Sequence, residues 1–234
     1  MKFKIFFLAV TLVIFSVRCN PKTLGTGLNS GTLSKKDIEN GLKEALEKGV
    51  SNAVTTLAKE GGFYDSMYKI VLPAESQVVV KRLKPIPGFG NLEEEALKRI
   101  NKAAEDAAYK AGPIFAGAIR QLTFGDVMNI LKGDKNAATQ FLKRTMYSAL
   151  YNELKPEIIS SLNRFGALDY WGTVMNTYNK IPFADKVNPD LADHVTIKAL
   201  DGLFDLIEKK EYSIRNDINQ RTSELLKKVF AQQD

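Results

Sequence analysis

Residues 91–122 read NLEEEALKRINKAAEDAAYKAGPIFAGAIRQL. Asn91 followed by Glu94 is a helix-opening signal. Leu92, Ala96, Leu97, Ile100, Ala103, Ala104, Ala107, Ala108 and Ala111 then recur at helical spacing. That stripe marks one buried helix face. It is made mostly of alanine, which lets a second helix approach closely, so this helix is expected to be central. Gly112-Pro113 is expected to break or kink it, because proline lacks an N–H and clashes with the preceding turn. Ile114 to Leu122 continues the pattern.

The same reading extends in both directions. Ser34 with Asp37 predicts a capping box, followed by Ile38, Leu42, Ala45, Leu46, Ala53, Val54 and Leu57 at helical spacing and a stop at Gly61-Gly62. Residues 74–83 predict a short helix, although Val78-Val79-Val80 also suits a strand. Thr123 with Asp126 predicts a cap for a short helix ended by Gly133. Asp134 is expected to cap the next helix, with Ala138, Phe141, Leu142, Thr145, Met146, Ala149 and Leu150 inward. Pro156 is expected in the first turn of a further helix ended by Gly166. A segment with Trp171, Val174, Met175 and Tyr178 follows. The longest late helix starts near Asn188-Pro189 with Asp190 as cap, and Leu225, Leu226, Val229 and Phe230 end the series. The expected fold class is all-α: one multi-helix, bundle-like domain over residues 34–234.

The N-terminus has a different character. Residues 1–18, MKFKIFFLAVTLVIFSVR, combine Lys2 and Lys4 with an apolar run from Ile5 to Phe15. The run is too short to span a hydrocarbon core but fits the apolar segment of an export signal. Cys19 follows at once and resembles the acceptor of a bacterial lipoprotein signal, cleaved before the cysteine and lipidated on it. Arg18 departs from that pattern, which has a small residue there. The alternative is an ordinary secretory signal cleaved near Ser16, leaving Cys19 as a free thiol in a soluble periplasmic or secreted protein. Residues 19–33 then supply the anchor and a Gly/Ser/Thr/Asn-rich tether. Partners expected on this reading are the membrane, through the lipid anchor, and a hydrophobic ligand or an envelope protein.

Composition excludes more than it selects. One Cys and one His in 234 residues rule out a disulfide framework and a cysteine- or histidine-rich metal site. The net charge is +6, but without Lys2, Lys4 and Arg18 it is 30 basic against 27 acidic side chains, +3. The remaining Lys and Arg are scattered, with no stripe interleaved with aromatics, so nucleic acid is not an expected partner. Gly25, Gly27 and Gly31 lack the strand and the Lys-Ser/Thr pair of a phosphate loop. The stretch GDKNAATQ from Gly133 lacks the ligand density of a calcium loop. No cofactor or metal is expected. His194 is the single imidazole and has no thiol in the helical region to activate. No catalytic residue is therefore assigned, and an enzyme ranks behind the other classes.

Several separated motifs resemble the bacterial domain-of-unknown-function family 4197. They are GLKEALEKGVSNAV (41–54), NKAAEDAA (101–108), IFAGAIRQLTFGDVMNILKGDKNAATQFL (114–142), NTYNKIPFADKVNPDL (176–191), VTIKALDGLFDLIEKKEYSIRND (195–217) and RTSELLKKVF (221–230). The resemblance implies an all-helical domain, commonly exported or lipid-anchored, and brings no agreed activity.

Two function classes stay open. A binding module would hold a hydrophobic or amphipathic ligand between helices, with Phe115, Phe141, Tyr170, Trp171, Tyr178 and Phe204 as candidate walls. A structural or interaction protein of the envelope would instead have a solid core and work through its surface. Asn101, Glu105, Arg120, Lys198 and Asp201 form a candidate polar network among apolar neighbours. Its alternatives are fixing helix register and lining a pocket.

Overall fold

A computed structural model describes residues 33–125 and 127–234. The expected signal, Cys19, the tether up to Thr32 and the Asp126 half of the Thr123/Asp126 cap lie outside the described residues. Eight α-helices and no strand occur among the described residues: α1 (Lys35–Leu57), α2 (Ser76–Leu83), α3 (Leu92–Gln121), α4 (Val127–Lys132), α5 (Ala137–Arg164), α6 (Ala167–Tyr178), α7 (Leu191–Asn216) and α8 (Glu224–Phe230). The three valines are therefore helical, inside α2.

Ser34 and Asp37 close the capping box of α1 in both directions. Pro156 behaves differently from expectation, and Pro113 does not break its helix. Pro113 lies inside an uninterrupted 30-residue α3, and Pro156 inside a 28-residue α5 instead of opening a new helix. At Pro113 the carbonyl that loses its donor belongs to Tyr109, which is 74% exposed. Water can take that carbonyl, so the helix continues. In α5, Thr145 and Ala149 lie on the exposed side.

Four long helices, α1, α3, α5 and α7, form the frame. Side-chain pairings give their directions. Lys43 Nζ reaches Arg120 O, while Phe63 N, just beyond α1, donates to Glu105, so α1 and α3 are antiparallel. Lys110 pairs with Glu157 and Asp106 with Arg164, which sets α3 against α5. Thr139 meets Glu211 and Tyr151 meets Asp193, which sets α5 against α7. Gly49 of α1 lies under Ile207 and Leu57 near Gly202, which sets α7 against α1. The frame is an up-down-up-down bundle. Ala103, Ala104, Ala107, Ala108 and Ala111 are all buried at its centre.

The two ends of the bundle differ. At the end where α1 begins, α4 and α8 pack against the frame, and charged groups are buried there. Glu211 is fully buried and accepts from Ala138 N (3.0 Å), Thr139 N (2.7 Å) and Thr139 Oγ1 (2.6 Å), so a side chain from α7 caps the start of α5. Asp134 does not supply that cap: the flanking residue is Asn136, and it makes no side-chain cap bond. Arg221 donates to Ile214 O and Arg215 O at the end of α7 and grips the Asp234 carboxylate with two short bonds. At the opposite end lie α2, α6 and the segments 58–75 and 179–190, which shape the surface considered next.

Candidate ligand groove

Gly166, in the left-handed conformation at φ +62°, lets the chain turn from α5 directly into α6. Arg99 Nη1 donates to Phe165 O beside it (3.0 Å) and fixes that corner. Along α6, Leu168, Trp171, Gly172, Met175 and Asn176 fall on one face, and Asn179 continues it. This face is one wall of an open groove of about 660 Å³. The second wall is the chain from Lys186 to Ala192, and Ile159 of α5 contributes from below.

The second wall is held by paired bonds. Asn179 Nδ2 donates to Val187 O (3.1 Å) and Asn179 Oδ1 accepts from Val187 N (3.2 Å). Asp190 caps α7 by accepting from Asp193 N (2.8 Å). That bond, with Lys155 nearby, holds the Asp190 carboxyl below its ordinary range against the opposing effect of burial. The Tyr151 hydroxyl bonds Asp193, and Lys155 lies 3.4 Å from Asp190 and 3.7 Å from Asp193. The hydrogen bond with Tyr151 and the Asp190 carboxylate raise the Lys155 ammonium against desolvation.

Segment 186–190 also partitions two grooves. On its far side a space of about 530 Å³ is lined by Pro73, Glu75, Asp193, His194 and Ile197. His194 Nε2 lies 2.7 Å from Val71 O, which ties α7 to the segment before α2. The first groove offers apolar surface from Ile159, Leu168, Met175 and Leu191, amide groups from Asn176 and Asn188, and one charge of each sign, Lys186 and Asp190. Trp171 is 5% exposed, and its buried indole N–H has no acceptor among the described residues. Such a surface suits a ligand with an apolar body and uncharged polar groups. It presents no nucleophile paired with a base.

The family model described as "Protein of unknown function (DUF4197)" matches residues 32–231. The chain belongs to the DUF4197 family. No curated protein and no solved structure matches it.

Within this DUF4197 domain the other sequence-selected residues are dispersed. Of the six aromatics, Trp171 alone lines the 660 Å³ groove. Phe115 and Phe204 meet edge to face at 5.4 Å, and Tyr147 stacks on Phe204 at 6.1 Å. Phe141 packs on Phe124 at 5.2 Å, and Tyr178 is buried. Tyr170 lies under the Arg99 guanidinium, and burial pushes its phenol up.

Asn101 and Glu105 are buried on α3 and serve one neighbouring segment. Asn101 accepts from Ile70 N and donates to Ile70 O and Leu97 O, each at 2.8 Å. Glu105 Oε1 accepts from Phe63 N (3.3 Å). Arg120 is exposed, and its carbonyl receives Lys43. Lys198 and Asp201 stand 4.0 Å apart, about half exposed, beside a groove that also includes Tyr68 and Asp205. Sequence reading did not single out Asn176, Asn179 and Lys186. The only signal for Asn179 is its eight-residue separation from Val187, bridging a Pro-containing loop.

In the described DUF4197 residues no helix is long and apolar enough to cross a membrane, and no group of three or more His, Cys, Asp or Glu could hold a metal ion.

Proposed function

We propose that this DUF4197 protein is an exported envelope protein, anchored through Cys19, whose helical domain binds a small amphipathic ligand in the groove between α6 and segment 186–192. The observation that carries the binding reading is the groove itself. One face of α6 supplies apolar side chains, and the opposite wall is pre-formed by the Asn179–Val187 pairing. Pre-formed concave sites with a few polar groups are where small ligands bind. Export and anchoring are supported by the basic start, the short apolar run and Cys19 directly after it.

The competing reading, an envelope protein that works through its surface, is favoured by the aromatic residues that pack into the bundle and leave the groove to Trp171. Native mass spectrometry of protein purified from its own host separates the two. A diacylglyceryl adduct on Cys19 together with a retained small molecule supports the proposal. An unmodified Cys19 rejects the anchor. Protein that carries no ligand, and whose Trp171 emission is unmoved by octanamide, octanoate and octylammonium, rejects the groove as a ligand site. Trp171 is the only tryptophan in the chain, so its emission reports on this groove alone.

A further inference from the structure

The loop that forms the groove's second wall carries an unusual tip. Ala184 N donates to Ile181 O (3.3 Å), which closes a β-turn with Pro182 second and Phe183 third. Phe183 has φ +63° and is the only non-glycine residue with positive φ among the described residues. This is the pattern of a type II turn, whose third position takes glycine or asparagine because a side chain there is strained. The Phe183 ring is 106% exposed, so no packing within the domain offsets that strain.

The loop is nevertheless closed at its base. Asn179 and Val187 exchange two hydrogen bonds, and Ile181 N donates to Tyr178 O (2.9 Å). The fold thus holds a bulky aromatic residue where glycine would be less strained, and points it at solvent. Strain of this kind is retained where the residue acts on something outside the fold.

The charges around the tip indicate what that is. Lys180 and Lys186 stand three residues to either side of Phe183, next to the closing pair, both exposed and without a carboxylate partner among the described residues. Asp185 is the one acid in the loop. An apolar tip with cations set back at its base matches a lipid–water interface. There a ring enters the acyl boundary while ammonium groups stay at the phosphates.

We propose that the Lys180–Phe183–Lys186 loop is a membrane-contact tip that inserts Phe183 into an anionic lipid surface and turns the groove end of the domain towards it. This rests on the anchored reading above, because a single ring binds lipid weakly and needs a tether to raise its local concentration.

The test uses the full chain reconstituted into vesicles of phosphatidylcholine and phosphatidylglycerol, carrying Phe183→Trp in a Trp171→Phe background. The expected result is a blue-shifted emission, quenched by brominated acyl chains, that weakens in Lys180→Gln/Lys186→Gln and in pure phosphatidylcholine. Should Trp171→Phe fail to fold, Phe183→Trp alone serves, read as the difference from the parent chain on the same vesicles, whose Trp171 signal is subtracted. Co-flotation with vesicles but water-like, unquenched emission overturns the tip and leaves the anchor standing. Loss of flotation overturns the anchor, and the tip with it. A blue shift that appears in lipid-free protein as concentration rises shows a protein contact instead and overturns the lipid assignment. Phe183→Gly should fold with an unfolding midpoint no lower than the parent, and a marked drop would show that the ring packs within the domain.

Discussion

Glu211 and Arg215, one turn apart on α7, form a fully buried ion pair (2.8 Å) that ties together the junction of two other helices. Glu211 caps the first N–H groups of α5, while Arg215 donates to Leu131 O (2.7 Å) and Ile130 O (3.1 Å) at the end of α4. Both Glu211 carboxylate oxygens and both terminal Arg215 nitrogens therefore have work besides the pair, while Arg215 Nε serves the pair alone. Removing one partner leaves a buried charge uncompensated, which typically costs about 3–5 kcal/mol. Arg215→Met and Glu211→Gln should each lower stability by amounts of that order, read from denaturant midpoints. The double variant should be less destabilised than the sum of the two. Additive losses would mean that the capping bonds, and not the ion pair, hold the junction.

Asn101 acts as a short strand partner for an isolated backbone position. Its amide takes both the N–H and the carbonyl of Ile70. Asn101→Leu leaves both groups buried without partners, at about 1–3 kcal/mol each. Hydrogen exchange should accelerate at Ile70 and along segment 66–72, while the centre of α1 stays protected. Uniform acceleration across the bundle would show that Asn101 supports the global fold and not this segment.

Helix periodicity made the bundle legible before the structure did. The α1 stripe and the alanine face of α3 are properties of local spacing, and the caps at Ser34 and Asp190 are local too. The prolines misled because the sequence does not state which side of a helix they occupy. Pro113 frees a carbonyl on an exposed turn, where water meets the loss. The α5 cap was illegible because the carboxylate comes from Glu211, on a helix that pairs with α5 only once the bundle forms. The groove was half visible: Trp171 stands out as an aromatic at helical spacing, but its opposite wall depends on Asn179 and Val187 meeting across a loop.

Acid should weaken the domain through identifiable carboxylates. A hydrogen bond from Arg221 holds Asp234 below its ordinary range, backbone donation from Asp193 does the same for Asp190, and Ser34 does it for Asp37. For Asp205, burial pushes upward, but bonds from Lys209 and Tyr68 prevail and lower it. A carboxylate depressed on folding gives stability that is present above its unfolded value, about 3.9, and lost as pH falls through the folded value. The melting temperature should hold from neutral pH down to about 5 and drop below about 4. At the alkaline side the sign reverses. Lys209 is raised from 10.5 to about 12 by its bonds to Asp205 and Tyr68, so its contribution is full below the ordinary lysine value and is lost as pH rises from there through about 12. Asp205→Asn should flatten the change at both extremes, and an unchanged profile would rule this cluster out as a source.

Gly41 on α1 marks where α8 docks. A Cβ placed there would lie 2.7 Å from Val229 Cγ2 and 3.0 Å from Val229 Cβ, too close for either to remain in place. Gly41→Ala gains about 1 kcal/mol of helix propensity. Overpacking a buried contact costs about 1–3 kcal/mol, so the net effect should be destabilising. Because Val229 supplies all three close atoms, Gly41→Ala combined with Val229→Ala should recover part of the loss, since the new methyl occupies space that the valine vacates. Without that recovery, the α1–α8 contact would have to be limited by backbone approach and not by the valine side chain. Gly49 is the comparison, because an added Cβ there meets not only Ile207 Cγ2 at 3.0 Å but also Ile207 Cα and O at 3.2 Å, backbone atoms that no side-chain truncation can move. Gly49→Ala should therefore show no such recovery when combined with Ile207→Ala, which removes Cγ2 but leaves the backbone atoms in place.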